Sequence, residues 1–459
     1  MVLLQTCFQT NFSLKIIFPS VFYLPHVVGG IEYYIQNLAK GLLLKGHDVK
    51  IAVPEFDDGP KGDYEYDGLQ IIRYKGFTSV GKLQMSGLQA NESLHHFKAL
   101  LRREKPDIVH FSQITNSSGM SLQHIAAPKE FGAKVVYTNH MAEFICQRGD
   151  FMYMGKTCCD GTVTVKKCTT CLLHTRGLNK AAANFTSCID NSIAKLVGQQ
   201  NYLRQVTFVT LPGFSTRWHI HKVKTVISTA DTFISIAEWC TGLLKQNNWY
   251  SNNCITVKTG LLNSTSVKLK TLAEYDGFRP FKIICVARIF PVKGIDLLIK
   301  AVKGIDKTAI ELNIYCPAVA LNESGYYNLC RDLAKENPNI FFHPEAKNSE
   351  VVALMSQNDI LCIPSKGNEM APLVIQEAMA AGIPVIGADL PAVKEWITDG
   401  YNGLIFPVNN GEALTRKLQT VINNPHLLYL FKTNLQAPRA FAQVVNEYNN
   451  LYQYLFTNS

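Results

Sequence analysis

The sequence predicts two α/β domains, each a doubly wound, Rossmann-like parallel sheet, and three observations lead to this prediction. The chain has 459 residues, too many for one hydrophobic core, so two domains of roughly 200 residues are expected. Short apolar runs alternate with helical patterns in the first half and again after residue 278, and residues 268–280 between them have linker composition. We therefore expect two domains facing a central cleft, with ligands at the carboxyl ends of the strands.

The first series begins with an apolar run at residues 14–19, typical of a buried parallel strand. A turn with Gly29 and Gly30 follows, then a helical apolar stripe from Ile31 to Leu43 and a strand at 49–53. Strand, glycine turn, helix and strand make a right-handed βαβ unit. Further elements continue the alternation, namely strands at 69–73, 107–111 and 135–140 and a helix at 94–103.

The second series repeats the alternation after Phe278. Four apolar runs predict strands, and two segments between them have a helical pattern. The strands are at residues 281–286, 311–315, 360–364 and 384–386, and the helices at 294–302 and 373–381.

Composition and charge limit the classes of partner that we expect for this protein. Hydrophobic residues make up 47% and charged residues 18%, which is ordinary for a globular protein. The net charge of +9 is mild and dispersed; it suits an ordinary solvated surface or peripheral contact with an anionic membrane, and does not indicate nucleic acid. No apolar run reaches the roughly 20 residues of a spanning helix, and residues 1–20 resemble a short leader into the first strand rather than a signal peptide. We expect a cytoplasmic protein, with room for peripheral contact at the inner face of the membrane.

A basic loop follows the first strand of the second series. Arg288 and Lys293 flank it, and a helix is expected to begin near Gly294. Two cations beside a helix N-terminus suit a diphosphate, because charge, directional donors and helix dipole favour an anion there. The alternative is a solvated basic loop, which is the better interpretation if this motif stands alone.

Two glutamates follow the strand at 360–364. Glu369 is expected in a loop and Glu377 on the next helix, before a small apolar stretch at 378–382. Carboxylates accept hydrogen bonds from vicinal hydroxyls, so the pair could hold two sugars of one ligand. Either glutamate alone is more simply an exposed helix or loop residue.

Together these motifs resemble glycosyltransferase family 4, the retaining enzymes with the GT-B fold. The matches run in order along nearly the whole chain. They are residues 29–32, 106–110, 286–296, 358–359, the pair Glu369 and Glu377, 382–387 and 399–404.

The resemblance implies roles for the basic and acidic residues. Arg288 and Lys293 would hold the donor diphosphate and stabilise charge on the departing nucleotide. Glu369 would contact the transferred sugar, and Glu377 the ribose hydroxyls. No metal would be required for catalysis, since the basic pair replaces it.

Further donor contacts are implied by the same resemblance. Gly29 and Gly30 would let backbone amides approach the diphosphate. His140 matches a histidine over the donor sugar, although a lone histidine after a strand is often structural. The segment after Glu369 would complete the donor site, through Met370, Ala371, Pro372 and Leu373.

The expected domains follow from these matches. Residues 1–275 form the acceptor-side domain with a cysteine-bearing insert at about 141–190, and residues 278–437 form the donor domain. Residues 438–459 resemble the terminal helix that crosses back to the first domain. The chain departs from the family pattern at Tyr315-Cys316-Pro317 and His343-Pro344, where glycines are common.

Five of the 13 cysteines lie close together in the insert. Cys168 and Cys171 form a C-x2-C pair, and Cys146 with Cys159, or Cys158 in its place, could complete a tetrahedral thiolate site. A branch of family 4 resembles this insert. The sequence favours structural zinc; an iron–sulfur cluster and a set of free thiols remain alternatives.

The expected reaction is transfer of a sugar from a nucleotide-sugar co-substrate to an acceptor hydroxyl with retention, in polysaccharide or glycolipid biosynthesis, the acceptor being a carbohydrate or lipid-linked. One alternative is a sugar-nucleotide epimerase, which needs acid–base carboxylates from both domains; the N-terminal half offers no clear set. Another is a non-catalytic binding protein, against which the four intact residues Arg288, Lys293, Glu369 and Glu377 argue.

Overall fold

The computed structural model describes residues 12–26, 29–56, 61–76, 84, 91–114, 120–196, 212–262, 277–316 and 325–458. The leader expected at the N-terminus falls mostly outside these residues, as does most of the linker at 268–280. The chain divides into two compact units. Unit 1 comprises residues 1–149, 161–258 and 442–459, and unit 2 comprises residues 150–160 and 259–441.

Unit 1 contains an eight-stranded sheet with the order β10-β9-β6-β5-β1-β2-β4-β3. All neighbours are parallel except β3 and β4, which form an antiparallel edge. The strands are β1 (Lys15–Pro19), β2 (Asp48–Glu55), β3 (Tyr64–Tyr66), β4 (Leu69–Lys75), β5 (Ile108–Phe111), β6 (Lys134–Asn139), then, after the hairpin of β7 (Met152–Tyr153) and β8 (Thr157–Cys158), β9 (Thr232–Ser235) and β10 (Cys254–Thr256). The central strands are buried on both faces, as expected for a parallel sheet covered by helices.

Seven helices in the first 258 residues accompany this sheet among the described residues. They are α1 (Gly30–Leu43), α2 (Ser93–Glu104), α3 (Leu122–Ala126), α4 (Val165–Thr175), α5 (Lys180–Leu196), α6 (Pro212–Thr229) and α7 (Glu238–Gln246). Helices α4, α5 and α6 contact one another and form a helical subgroup that follows β6 in the chain.

Unit 2 contains a six-stranded parallel sheet with the order β13-β12-β11-β14-β15-β16. Its strands are β11 (Phe281–Val286), β12 (Ile310–Tyr315), β13 (Ile340–His343), β14 (Ile360–Ile363), β15 (Val385–Ala388) and β16 (Gly403–Phe406). Its described helices are α8 (Ile295–Lys303), α9 (Gly325–Ala334), α10 (Val351–Met355), α11 (Leu373–Ala381), α12 (Pro391–Lys394), α13 (Gly411–Ile422) and α14 (His426–Thr433). The chain reverses direction across the sheet between β11 and β14, which opens a crevice at their carboxyl ends.

The final helix, α15 (Phe441–Thr457), packs on unit 1. Its Tyr448 hydroxyl lies 3.1 Å from the Tyr34 hydroxyl, and the Tyr452 hydroxyl lies 2.6 Å from Nδ1 of the buried His110. Val445 packs so closely on Gly41 that a Cβ there would overlap it. These contacts join the C-terminal end of the chain to the first unit.

The unit boundaries differ from the expected domains at the end of the first domain, at the start of the final helix and within the insert, since residues 259–262 and 438–441 also belong to unit 2. The whole insert at 141–190 was expected in the first domain, but residues 150–160, which include the β7–β8 hairpin, belong to unit 2. A hairpin of two-residue strands has little stability of its own, so its conformation depends on what it packs against. Phe151, Met152 and Met154 are buried in the protein.

No described helix is both long and apolar enough to cross a membrane.

Candidate functional site

A cavity of about 290 Å³ opens at the carboxyl ends of β11 and β14. The ends of both strands and the first turn of α11 line it, and Lys293, Ser365 and Glu369 contribute polar atoms. It lies at the crevice between β11 and β14, where the order of the strands reverses, and doubly wound sheets bind ligands at such a place.

Lys293 and Glu369 form an ion pair in this cavity. The Lys293 Nζ lies 2.7 Å from Glu369 Oε2, and the side chains are only 18% and 25% exposed. Ser365, which is buried, donates its hydroxyl to Glu369 Oε1 at 2.8 Å. Both carboxylate oxygens are therefore held, and the lysine charge is fixed beside them in a partly desolvated place.

Gly294 lets the loop that carries Lys293 turn against the loop that carries Glu369. Its φ is +67°, in the left-handed region, and a Cβ would overlap the carbonyl oxygen of Pro364. Next to it, the Lys366 amide donates to the Val292 carbonyl at 2.7 Å. Only glycine combines this conformation with so close an approach.

Lys366 ties the same loop to the start of α8. Its Nζ lies 2.8 Å from Asp296 Oδ1, and Tyr326 donates its hydroxyl to the same oxygen at 2.6 Å. Hydrogen bonds from Lys366 and Tyr326 lower the pKa of Asp296 although burial opposes them. The carboxylate is therefore ionised and anchors the loop.

The first turn of α11 completes the cavity wall. Ala371, Pro372, Leu373 and Val374 line it, and the helix begins at Leu373 after Pro372. The N-terminus of a helix carries unpaired amides and partial positive charge, so this wall and Lys293 together favour an anionic ligand.

Glu377 lies one turn along α11 from Val374. Burial raises its pKa to about 7. The carboxyl group is therefore held where the charged form is disfavoured until a partner or ligand compensates it.

Arg288 is placed differently from Lys293. The side chain is exposed, and its guanidinium carbon lies 5.6 Å from the centre of the Phe290 ring. It is not among the residues that line the cavity.

Gly29 and Gly30 lie in unit 1, at the N-terminus of α1. Gly29 is the N-cap residue in extended conformation, and a Cβ on it would overlap the Glu32 carboxylate. Nothing lies within 4 Å of the position of a Cβ on Gly30. Burial raises the pKa of Glu32, against a hydrogen bond from its own backbone that lowers it.

His140 directly follows β6, also in unit 1. Its ring packs edge-on against Tyr34, with centroids 4.4 Å apart. Burial lowers its pKa to about 3, so the imidazole is neutral near pH 7. Its Nε2 is buried without a hydrogen-bond partner among the described residues. An unpaired buried polar atom of this kind is costly unless a ligand satisfies it.

The four-cysteine site expected from the sequence is not formed. Within the described ranges, no three His, Cys, Asp or Glu side chains are grouped to hold a metal ion. Cys158 and Cys159 belong to unit 2, whereas Cys146, Cys168 and Cys171 belong to unit 1. The described residues therefore give no support to structural zinc, and spacing along the chain does not by itself bring thiolates together.

The structure thus brings Lys293 and Glu369 together with the segment 371–373, and it places Met370 in the buried part of the same loop. Sequence reasoning missed Ser365, although its place two residues after the end of the strand Ile360–Ile363 is a signal of a residue that binds ligand at the carboxyl end of a strand. It also treated Cys285 and Cys362 only as core residues, and both line the cavity. Burial raises the pKa of Cys285 to about 12, so that thiol is neutral.

Comparison with known proteins agrees with this architecture. The protein-family model described as "Glycosyl transferases group 1" matches residues 277–436, and the family model described as "Glycosyltransferase Family 4" matches residues 28–180. Together they match more than half of the chain.

Among curated relatives, an uncharacterized glycosyltransferase of Haemophilus influenzae is 28% identical over 202 residues, covering 44% of this chain and 54% of its own length. The phosphatidyl-myo-inositol mannosyltransferase of Mycobacterium leprae is 27% identical over 134 residues, 29% of this chain and 35% of the relative. These matches therefore span about half, or less, of the relatives' length.

Solved structures show the same fold along the whole chain. Sucrose-phosphate synthase from Thermosynechococcus elongatus superposes with a TM-score of 0.64 at 15% identity, over 97% of this chain and 99% of that one. The Anabaena protein HepE in complex with UDP gives a TM-score of 0.56 at 13% identity, over 97% and 98%. The two parallel sheets, the order of the motifs and the two family models lead to one conclusion: the chain belongs to glycosyltransferase family 4 and has the GT-B fold.

Proposed function

We propose that the protein is a retaining glycosyltransferase that transfers a sugar from a nucleotide-sugar donor to an acceptor hydroxyl. The observation that carries the proposal is the Lys293–Glu369 ion pair at the N-terminus of α11, inside a cavity at the carboxyl ends of β11 and β14. The pair combines a cation for phosphate with a carboxylate for sugar hydroxyls.

In this proposal Lys293 and the first-turn amides of α11 bind the donor diphosphate. Cleavage of the bond between sugar and phosphate leaves an extra negative charge on the nucleoside diphosphate, and fixed positive charge stabilises it. Arg288 is exposed next to the same loop and reaches the diphosphate by a change of rotamer. These groups supply the charge that a metal supplies elsewhere, so chelation by EDTA is expected to leave the rate unchanged.

The glutamates divide the donor between them. Glu369 accepts hydrogen bonds from the transferred sugar, and its position is fixed by Lys293 and Ser365. Glu377 accepts hydrogen bonds from the ribose hydroxyls. Met370, Ala371, Pro372 and Leu373 surround the phosphates and sugar between them.

Unit 1 contributes its own donor contacts in this proposal. The amides at Gly29 and Gly30 bind the diphosphate, and the neutral imidazole of His140 uses its unpaired Nε2 on the donor sugar.

For the acceptor we propose a carbohydrate or a lipid-linked carbohydrate, in polysaccharide or glycolipid biosynthesis. The mannosyltransferase of M. leprae among the relatives carries phosphatidyl-myo-inositol in its name, which supports a lipid-linked acceptor. The net charge of +9 supports peripheral contact with an anionic inner membrane surface. Sedimentation with vesicles of neutral and anionic lipid tests that contact.

The test of the function is nucleotide release over a panel of UDP-, GDP- and ADP-sugars. Wild type is compared with Lys293→Ala and Glu369→Ala, and with Lys300→Ala on the exposed side of α8 as control. Release from one donor, lost in the first two variants and kept in the control, supports the proposal. Release that persists in both site variants contradicts it. The anomeric configuration of the product, read by NMR, tests retention.

A further inference from the structure

The loop that carries Glu369 is fixed on two sides. On one side, the Lys366 amide bonds to Val292 and Gly294 packs against the Pro364 carbonyl. On the other side lies the β7–β8 hairpin, which belongs to unit 2 although the residues before and after it belong to unit 1. The mechanism proposed above uses the first side only.

Gly367 has no space for a side chain because the hairpin lies against it. A Cβ would overlap the Asp150 carbonyl oxygen, and would come within 2.8 Å of Val292 Cγ2 and 3.2 Å of Met152 Cγ. The φ angle of Gly367 is not in the left-handed region, so glycine is required here only because the hairpin approaches so closely. The hairpin backbone and the Lys293 loop therefore enclose this residue between them.

Asn368 makes the second contact with the hairpin. It is buried, and its Nδ2 donates to Cys158 Sγ at 3.6 Å. The Asn368 Oδ1 is buried with no hydrogen-bond partner within the described part of the chain. The Cys158 sulfur thus accepts a hydrogen bond from the side-chain amide of the residue directly before Glu369.

The two strands of the hairpin are hydrogen-bonded to each other near Cys158. Met152 pairs with Cys158 across its strands, and the Cys159 amide donates to the Phe151 carbonyl at 2.6 Å. Cys158 also packs against the hydrophobic core of unit 2. A shift of the hairpin is therefore transmitted to Gly367 and Asn368, and through them to the next residue.

We infer that the hairpin at 150–160 is a positioning element for Glu369, with Gly367, Asn368 and Cys158 as its positioning residues. The expected effect on catalysis rests on the proposed function. The expected effect on the position of the Glu369 loop rests on the packing alone. The hairpin thereby takes part in the donor site of its own unit through contact with a loop, and without touching the donor.

The first test is Gly367→Ala, measured with the donor that the panel identifies. Displacement of Glu369 by a fraction of an ångström to about 1 Å is expected to lower kcat on the order of 100-fold. The Kd of the nucleoside diphosphate is expected to stay within about 3-fold, because the phosphate contacts come from other residues. A folded Gly367→Ala protein with wild-type kcat overturns the inference.

A gentler series keeps the inference testable if Gly367→Ala does not fold. Cys158→Ala removes the hydrogen-bond partner of Asn368 and is expected to lower kcat about 10-fold. Cys158→Ser keeps an acceptor for Asn368 and is expected to retain most of the wild-type kcat. Cys159→Ala, at the neighbouring half-buried cysteine, is the matched control and is expected to behave as wild type. Equal kcat for all three variants overturns the inference.

Hydrogen exchange provides a readout that does not depend on activity. In Cys158→Ala, amides in 364–373 are expected to exchange faster, with no change in 385–406. If this occurs while wild type releases nucleotide from no donor, the positioning role stands and the proposed function fails. If exchange in 364–373 is unchanged in Cys158→Ala, the positioning role fails whatever the activity.

Discussion

Lys293 Nζ and Glu369 Oε2 are 2.7 Å apart, and the two residues come from loops that follow non-consecutive strands, β11 and β14. The pair is enclosed enough for its charges to act strongly, yet it borders a cavity that a ligand can enter. A donor diphosphate would compete with Glu369 for Lys293, which frees the carboxylate for the hydroxyls of the sugar.

Replacing Lys293 by alanine is expected to lower kcat/KM for the donor by about 100- to 1000-fold, the usual cost of one preorganised donor at developing charge. Lys293→Arg is expected to recover only part of the lost kcat/KM, since the longer, planar guanidinium does not fit the space beside Glu369 and Ser365. Nucleotide release under limiting donor measures both. Activity in Lys293→Ala equal to that of Lys300→Ala would show that the ion pair plays no catalytic part.

Glu377 predicts a pH dependence of stability. Burial raises its pKa to about 7 from the ordinary value of 4.5. Between these values the unfolded chain releases the proton while the folded protein keeps it, so this group lowers stability as pH rises from about 4.5 to 7, and no further above that. The total is on the order of 3 kcal/mol.

The measurement is urea unfolding of wild type and Glu377→Gln at pH 5, 6, 7 and 8. The variant minus wild-type difference in unfolding free energy is expected to grow from pH 5 to pH 7 and then level, since glutamine does not titrate. A difference that is constant with pH contradicts the raised pKa.

Gly294→Ala is expected to destabilise the protein by about 2–4 kcal/mol. The left-handed conformation costs about 1 kcal/mol for alanine, and the overlap with the Pro364 carbonyl adds to it because backbone must move. Gly400→Ala is the control: its φ is +74°, but a Cβ there meets open space, so only the conformational cost applies. Equal losses in the two variants, from thermal or urea unfolding, would show that the close approach is unimportant.

Asp359→Ala is expected to cost about 3 kcal/mol of unfolding free energy. Asp359 is 6% exposed, pairs with the Arg279 guanidinium through both oxygens at 2.7 Å, and accepts the Lys282 amide at 2.8 Å. Its removal takes away the acceptor of that amide and both hydrogen bonds between the guanidinium and the carboxylate. Lys394→Ala, which breaks an exposed pair with Asp389, is expected to cost less than about 1 kcal/mol. Similar costs for the two variants contradict the role given to burial.

The sequence by itself predicted nine of the 16 described strands and five of the 15 described helices, because the signals of these elements are local. An apolar run such as Phe281–Val286 and an amphipathic stripe such as that of Gly30–Leu43 specify backbone hydrogen bonding and a buried face within one segment. The ordered motifs likewise placed Glu369 in a loop and Glu377 on the following helix. These features depend on neighbours within a few residues.

Only the tertiary structure decided which side chains meet. The adjacency of β11 and β14 brings Lys293 to Glu369 and adds Ser365, and no local pattern contains that order of strands. The surroundings of the cysteines in the insert were likewise decided by tertiary contacts, since Cys158 packs with unit 2 and its Sγ accepts a hydrogen bond from Asn368. Contacts between distant segments depend on how sheets bury their faces, and spacing along the chain carries no record of that.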